Sequence, residues 1–190
     1  MNGSESMAIG IKLRAQAAEY SPEESHFFGA PLIPSAWCND FYDDTMFFCQ
    51  IRLSDLSELD SENRFSHRGY LYVFLDTSNG KYSLSPIVRY FDGEPDVVID
   101  DFNDAVCGYE QFTQALSVEF SLVDDDFDGM KLLGVPSDWN YETKSPELLM
   151  QIDHFDEVLS FHEEIDGFTY LFFGRDTVNF TDVSLHCEHS

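Results

Sequence analysis

The chain has 190 residues, of which 43% are hydrophobic and 15% aromatic. We therefore expect a substantial buried core, in one domain or in two fused half-domains. Its 10 Lys and Arg residues against 36 Asp and Glu residues give a formal charge of −26. A surface of this sign repels phosphate backbones and anionic membranes, so neither nucleic acid nor a membrane is an expected partner.

The acidic residues are dispersed along the chain, where 18 Phe and 9 Tyr residues accompany them. Disorder caused by charge is therefore not expected. Such a protein favours a basic or metal-bearing partner. The alternative is that the acids only solvate the surface, for example in a salty habitat.

Residues 1–7 are polar and are expected to form a flexible tail. The chain opens with no basic segment followed by an apolar one, and no apolar run approaches the roughly 20 residues that cross a bilayer. Its four cysteines show no close pairing, and Cys49 lies in an apolar segment where a small buried thiol fits. These features predict a soluble cytoplasmic protein with reduced thiols.

Taken in chain order, apolar alternation and turn signals predict a series of strands. They lie at 8–16, 47–52, 69–75, 82–90 (interrupted by Pro86), 116–123, 148–153, 167–173 and 178–187. Short helical segments are predicted at 54–59, 109–115 and 155–159. The expected fold class is α+β, mainly antiparallel β, with short helices.

Three segments of the first part of the chain recur later in the same order. Residues 28–31 match 133–136, residues 47–52 match 148–153, and residues 69–75 match 167–173. The offset falls from 134 − 29 = 105, through 151 − 50 = 101, to 167 − 69 = 98, as expected when loops differ in length. The pattern predicts an internal duplication, with similar half-domains at 8–123 and 124–190 packed as one body.

These segments also resemble the YwqG-like family, also called the DUF1963 family, over about residues 8–188. The segment Leu-Leu-Met-Gln-Ile-Asp at 148–153 is the most specific part of the resemblance. The chain departs from the family pattern in its Gly-Ala-Pro at 29–31, where a second glycine is common, and in its closing His186-Cys187-Glu188. The resemblance implies a mainly β, α+β fold and implies no reaction.

Gln50 and Gln151 are the most unusual polar residues, because each lies within an apolar run. A buried amide without partners costs about 1–3 kcal/mol, so each is expected to be hydrogen-bonded, either to neighbouring strands or loops or to a ligand. Trp37 and Trp139 follow the two Gly-x-Pro segments, where they either pack in the core or line a groove between the halves. The four residues are the candidate ligand-binding set.

The acidic segment 124–129 fits the start of a calcium loop, D-x-D-x-D-G, but its twelfth position is Val135 instead of the required Glu. His162 begins a zinc-like motif that has Asp166 in place of the second histidine, and the donors at 186–189 have no second cluster. Neither a metal nor a cofactor is expected.

No nucleophile elbow, Walker loop or dinucleotide fingerprint is present. Asp153 with His154 is only the least implausible acid–base pair, so no catalytic residue is assigned. The leading expectation is a non-catalytic, acidic, intracellular interaction protein that binds a basic protein partner, such as a toxin that it neutralises. The alternatives are a small-ligand-binding protein that uses a groove between the halves, and a hydrolase.

Overall fold

A computed structural model describes residues 7–15, 21–79, 84–106, 110–137, 147–154, 159, 167–174 and 180–187. Within these ranges the chain is mainly antiparallel β, as predicted. It forms two compact units, which we call the continuous unit (Leu13–Val118) and the two-segment unit (Met1–Lys12 with Glu119–Ser190). Strands β1 and β8 each contribute residues to both units.

The strands in chain order are β1 Met7–Ala15, β2 His26–Phe27, β3 Leu32–Ile33, β4 Thr45–Arg52, β5 Tyr70–Asp76, β6 Ser85–Phe91, β7 Val97–Val98, β8 Leu116–Asp124, β9 Lys131–Leu132, β10 Leu148–Asp153, β11 Phe168–Phe173 and β12 Val183–Cys187. Three 3-10 segments accompany them in the described ranges, at Ser35–Trp37, Leu53–Leu56 and Glu110–Thr113.

The first two predicted helical segments are thus short 3-10 segments, Leu53–Leu56 and Glu110–Thr113, the second kinked at Phe112. Residue 109 of the second prediction and residues 155–158 of the third lie outside the described residues. Within the described residues, no helix is long and apolar enough to span a membrane.

The sheet of the continuous unit has the order β8-β2-β4-β5-β6, to which the last residues of β1 add beside β8. Strand β4 is buried from Thr45 to Ile51 on both faces, which explains its unbroken apolar sequence. The aromatic residues Tyr70, Tyr72 and Phe74 alternate along β5 and lie on one face, together with Phe47 of β4. Pro86 lies within β6 and not at a break; β6 is the last strand in this order, where a missing N–H is tolerated.

The sheet of the two-segment unit has the order β12-β11-β10-β9-β1, followed by the later residues of β8. Its cluster of buried side chains consists of Leu148, Phe168, Tyr170 and Phe172. Strand β1 buries Ile9, Ile11 and Leu13 and exposes Lys12 and Arg14, as its alternation predicted.

Candidate functional site

Gln50 in β4 is fully buried, and both the oxygen and the nitrogen of its amide form hydrogen bonds with backbone groups that precede β4 in the chain. Its Oε1 accepts the Leu32 N–H at 3.0 Å. Its Nε2 donates to Pro22 O at 2.7 Å and to Glu24 O at 3.1 Å. The hydroxyl of Tyr72, which lies opposite Gln50 in β5, donates to Leu32 O at 2.7 Å. We call this arrangement the first glutamine cluster.

Gln151 in β10 is also fully buried and forms a second glutamine cluster. Its Oε1 accepts the Ser137 N–H at 2.8 Å. Its Nε2 donates to Gly129 O at 2.8 Å and to Ser137 Oγ at 2.9 Å. Tyr170 lies opposite in β11 and donates its hydroxyl to Ser137 O at 2.5 Å. In both clusters, Oε1 accepts the N–H of a residue whose carbonyl accepts the hydroxyl of the opposite tyrosine, and Nε2 donates to a backbone carbonyl. The second acceptor of Nε2 differs: it is the Glu24 carbonyl in the first cluster and the Ser137 hydroxyl in the second.

The backbone before each glutamine strand also has the same form. Phe28 and Gly29 have φ values of 57° and 70°, and Leu133 and Gly134 have values of 61° and 81°. A Cβ on Gly134 would lie 2.5 Å from Asp125 O, so only glycine fits there. In addition, the β4–β5 pairing shifts register between Phe47 and Cys49, and the β10–β11 pairing shifts between Leu148 and Met150.

Two buried basic side chains were not predicted from the sequence: His26 and Lys131, opposite Gln50 and Gln151 respectively in the neighbouring strands. The His26 ring has Nδ1 2.9 Å from Glu24 O and Nε2 3.3 Å from Ala30 O. Burial lowers the pKa of His26 to about 4, although contacts with these carbonyl oxygens favour the charged form.

Lys131 donates from Nζ to Asp125 O at 3.0 Å and to Phe127 O at 2.6 Å. Burial lowers the pKa of Lys131 to about 8, and the nearby carboxylates of Asp126, Asp125 and Asp128 oppose the shift. The backbone of the acidic segment 124–129 thus binds an ammonium group of its own chain. Among the described residues, no three His, Cys, Asp or Glu side chains are grouped to hold a metal ion.

Trp37 ends the first 3-10 segment and is half-buried against the aromatic face of the continuous unit. Its ring lies edge-on to Tyr72, with centroids 5.5 Å apart. The Arg89 guanidinium lies 5.0 Å from the Trp37 centroid and 4.8 Å from that of Phe41. The same guanidinium pairs with Asp40 at 2.7 Å.

Around this stack, two loops at 38–44 and 92–104 form what we call the acidic–aromatic surface. Three contacts hold the loops: the Ser35 N–H donates to Asp96 Oδ1 at 2.7 Å, the Phe41 and Phe102 rings lie 5.3 Å apart, and Asn103 bonds the backbone of Phe47. Tyr42 is 84% exposed. The exposed acids of these loops are Asp40, Asp43, Asp44, Asp92, Glu94, Asp96, Asp100, Asp101 and Asp104.

Of the four candidate ligand-binding residues, Trp37 and Gln50 lie in the continuous unit, where both contact or face Tyr72. Gln151 belongs to the two-segment unit. Trp139 lies outside the described residues. A ligand role for these four residues stays a prediction.

A weak pattern in the sequence indicates that His26 and Lys131 are buried. Each directly precedes two apolar residues and a glycine, His-Phe-Phe-Gly and Lys-Leu-Leu-Gly, and a basic residue in such a setting is a candidate for burial.

No family model matches the chain, and no curated protein matches it.

Proposed function

We propose that this chain is a non-catalytic interaction protein that binds a basic protein partner through the acidic–aromatic surface. The observation that carries the proposal is that two loops in contact through Phe41 and Phe102 carry nine exposed acidic residues and the exposed Tyr42, next to the half-buried ring of Trp37. Within a chain of formal charge −26, such a surface attracts a cationic partner at long range, and its rings supply contact area at short range.

The contacts of Arg89 within this chain indicate that arginine is the side chain of a partner that this surface would bind best. Its guanidinium stacks on Trp37 and Phe41 while it pairs with Asp40. A planar guanidinium can stack on a ring and bond a carboxylate at the same time, which a lysine ammonium does less well. A basic toxin neutralised by this chain is one partner of the required charge.

We further propose that the chain is a YwqG-like protein of the α+β class, built by internal duplication. The ordered sequence repeats support this proposal, as do the matching hydrogen bonds around Gln50 and Gln151 and the matching register shifts beside them. The same bonds favour a scaffold role for both glutamines, because each Nε2 already donates to two acceptors.

Affinity capture from the native cell tests the interaction. The wild type is compared with a variant that loses three carboxylates of the surface, Asp43→Asn/Asp44→Asn/Asp101→Asn. The control variant Glu23→Gln/Glu58→Gln/Glu62→Gln loses the same charge at exposed positions on other loops of the same unit. We expect one basic protein to be captured by the wild type and the control but not by the surface variant.

Direct titration of the purified partner then gives the affinity, which should fall as salt rises. Equal capture by the surface variant and the control would contradict the assignment of this surface. Capture of no basic protein by the wild type at low salt would contradict the function itself.

A further inference from the structure

A histidine, a threonine and a cysteine of the two-segment unit lie next to one another across three neighbouring strands, β10, β11 and β12. His154 follows β10, Thr169 lies in β11, and Cys187 lies opposite Thr169 in β12. His154 Nε2 is 2.6 Å from Thr169 Oγ1, which is 3.2 Å from Cys187 Sγ. The threonine is only 6% exposed, so its hydroxyl is enclosed between the two groups.

A hydroxyl donates one hydrogen bond and accepts others, so Thr169 can connect the imidazole and the thiol in either protonation state. With a neutral imidazole, the thiol S–H donates to Oγ1 and the hydroxyl donates to Nε2. With an imidazolium and a thiolate, both bonds reverse: Nε2–H donates to Oγ1 and the hydroxyl donates to sulfur. The same three positions therefore accommodate both ends of a proton transfer.

We propose that Cys187 is a thiol modification site that forms mixed disulfides with small-molecule disulfides, with Thr169 and His154 as positioning residues. The thiolate is the nucleophilic form of cysteine, and a nearby imidazolium stabilises it. From the sequence alone, His154 is only a weak acid–base candidate and Cys187 is only part of a terminal donor cluster. Their connection depends on strand pairing, which the sequence does not display.

The step balances without a further reactant. The Cys187 proton passes to Thr169 Oγ1 as the threonine proton passes to His154 Nε2. The thiolate attacks one sulfur of the disulfide, a new S–S bond forms, the old one breaks, and the other half leaves as a thiolate that takes up the proton.

The other described cysteines differ from Cys187 and serve as internal references. Cys49 is fully buried in β4, and burial raises its pKa, so it is expected to be inert. Cys38 is exposed, more so than Cys187. Accessibility alone therefore predicts faster reaction at Cys38, whereas the Thr169 and His154 contacts predict faster reaction at Cys187.

The test measures mixed-disulfide formation with 2,2′-dithiodipyridine, a neutral reagent that the acidic surface does not repel. Peptide mass spectrometry follows each cysteine separately. We expect Cys187 to react about tenfold faster than Cys38 at neutral pH. Thr169→Val, which keeps the shape but removes the hydroxyl, should bring Cys187 to the rate of Cys38, and His154→Gln should do the same.

Thr169→Ser restores the hydroxyl and should keep the fast rate, which a purely structural role of the threonine would not predict. Each variant is first shown by circular dichroism and thermal melting to be folded, and the rate at Cys38 must be unchanged. If Cys187 reacts no faster than Cys38 in the wild type, or if Thr169→Val keeps the fast rate, the proposal is wrong. The outcome does not depend on the interaction proposed above.

Discussion

Among single residues, Gln50 and Gln151 show how a buried amide is accommodated in an apolar strand. Each accepts one backbone N–H and donates to two oxygens, and each is fully buried. A leucine keeps roughly the same volume but removes every one of these bonds, which leaves buried backbone groups unpaired.

We therefore expect Gln50→Leu and Gln151→Leu each to lower the free energy of unfolding by about 1–3 kcal/mol. Chemical denaturation measures the change, and Gln114→Leu, at an exposed position, is the control and should leave the midpoint nearly unchanged. Unchanged midpoints in both buried variants would contradict a scaffold role for the two glutamines. Ligand binding would then be the leading explanation for their presence in apolar strands.

The burial of His26 makes the stability of the folded protein depend on pH, and it determines the sign of this dependence. Its pKa is about 4 in the folded protein and ordinarily 6.5. Between these values the unfolded chain binds more protons than the folded one, so stability falls as the pH drops from 6.5 toward 4. The contribution reaches about 3 kcal/mol at most.

The variant His26→Gln lacks the titrating group, while every carboxylate is retained. The difference in the free energy of unfolding between wild type and variant should shrink as the pH falls through this interval. Urea melts at several pH values measure it. A constant difference would show that the His26 pKa is not lowered.

At the level of elements, Lys131 explains why the acidic segment 124–129 is ordered without a metal-binding pattern. Its ammonium contacts two carbonyl oxygens of that segment, and the Val135 N–H donates to one of them, Asp125 O, at 2.8 Å. The side chain of Lys131 thus attaches the segment to β9, and the backbone N–H of Val135 attaches it to the residues that follow β9.

We predict that Lys131→Met speeds hydrogen exchange at the amides of Phe127 and Val135. Hydrogen bonds to a charged group contribute about 1.5–3 kcal/mol, which corresponds to roughly 10- to 100-fold in local opening. Lys12→Met, at an exposed lysine of β1, is the control. Equal exchange in the two variants would contradict the attachment.

Long strands were predictable because their apolar pattern extends over five or more residues, as in β1, β4, β5, β8, β10 and β11. The two-residue strands β2, β3, β7 and β9 have no measurable period, so the sequence did not reveal them. Their pairing is also long-range: β2 joins β4 and β8, which lie far apart in the chain.

The candidate site was only partly predictable for the same reason. Gln50 and Gln151 stand out because a polar residue interrupts an apolar run. The acidic–aromatic surface does not stand out, since it requires residues 38–44 and 92–104 to meet across Phe41 and Phe102. Nor does the sequence show that Arg89 lies over Trp37.

At the scale of the whole molecule, the formal charge of −26 opposes compaction. Salt screens this repulsion, so raising NaCl from about 20 mM to about 500 mM should raise the melting temperature by several degrees. Differential scanning calorimetry measures the shift. The variant Asp43→Asn/Asp44→Asn/Asp101→Asn should begin at a higher melting temperature and gain less.

A melting temperature independent of salt in both proteins would mean that the acids are too far apart, or too well paired, for repulsion to matter. In that case the overall charge would not affect the stability of the folded protein.

The two-segment unit draws its first residues, Met1–Lys12, from the opposite end of the sequence to the rest. During synthesis on the ribosome, Leu13–Val118 is complete before any residue from Glu119 onward has emerged, so the continuous unit can fold early. The first half of β1, with its buried Ile9 and Ile11, has β8 on one side and gains its second neighbour, β9, only after Lys131 and Leu132 have been translated. Apolar residues at the beginning of the chain are therefore exposed to chaperones longest, and a pause in translation before Lys131 should increase aggregation.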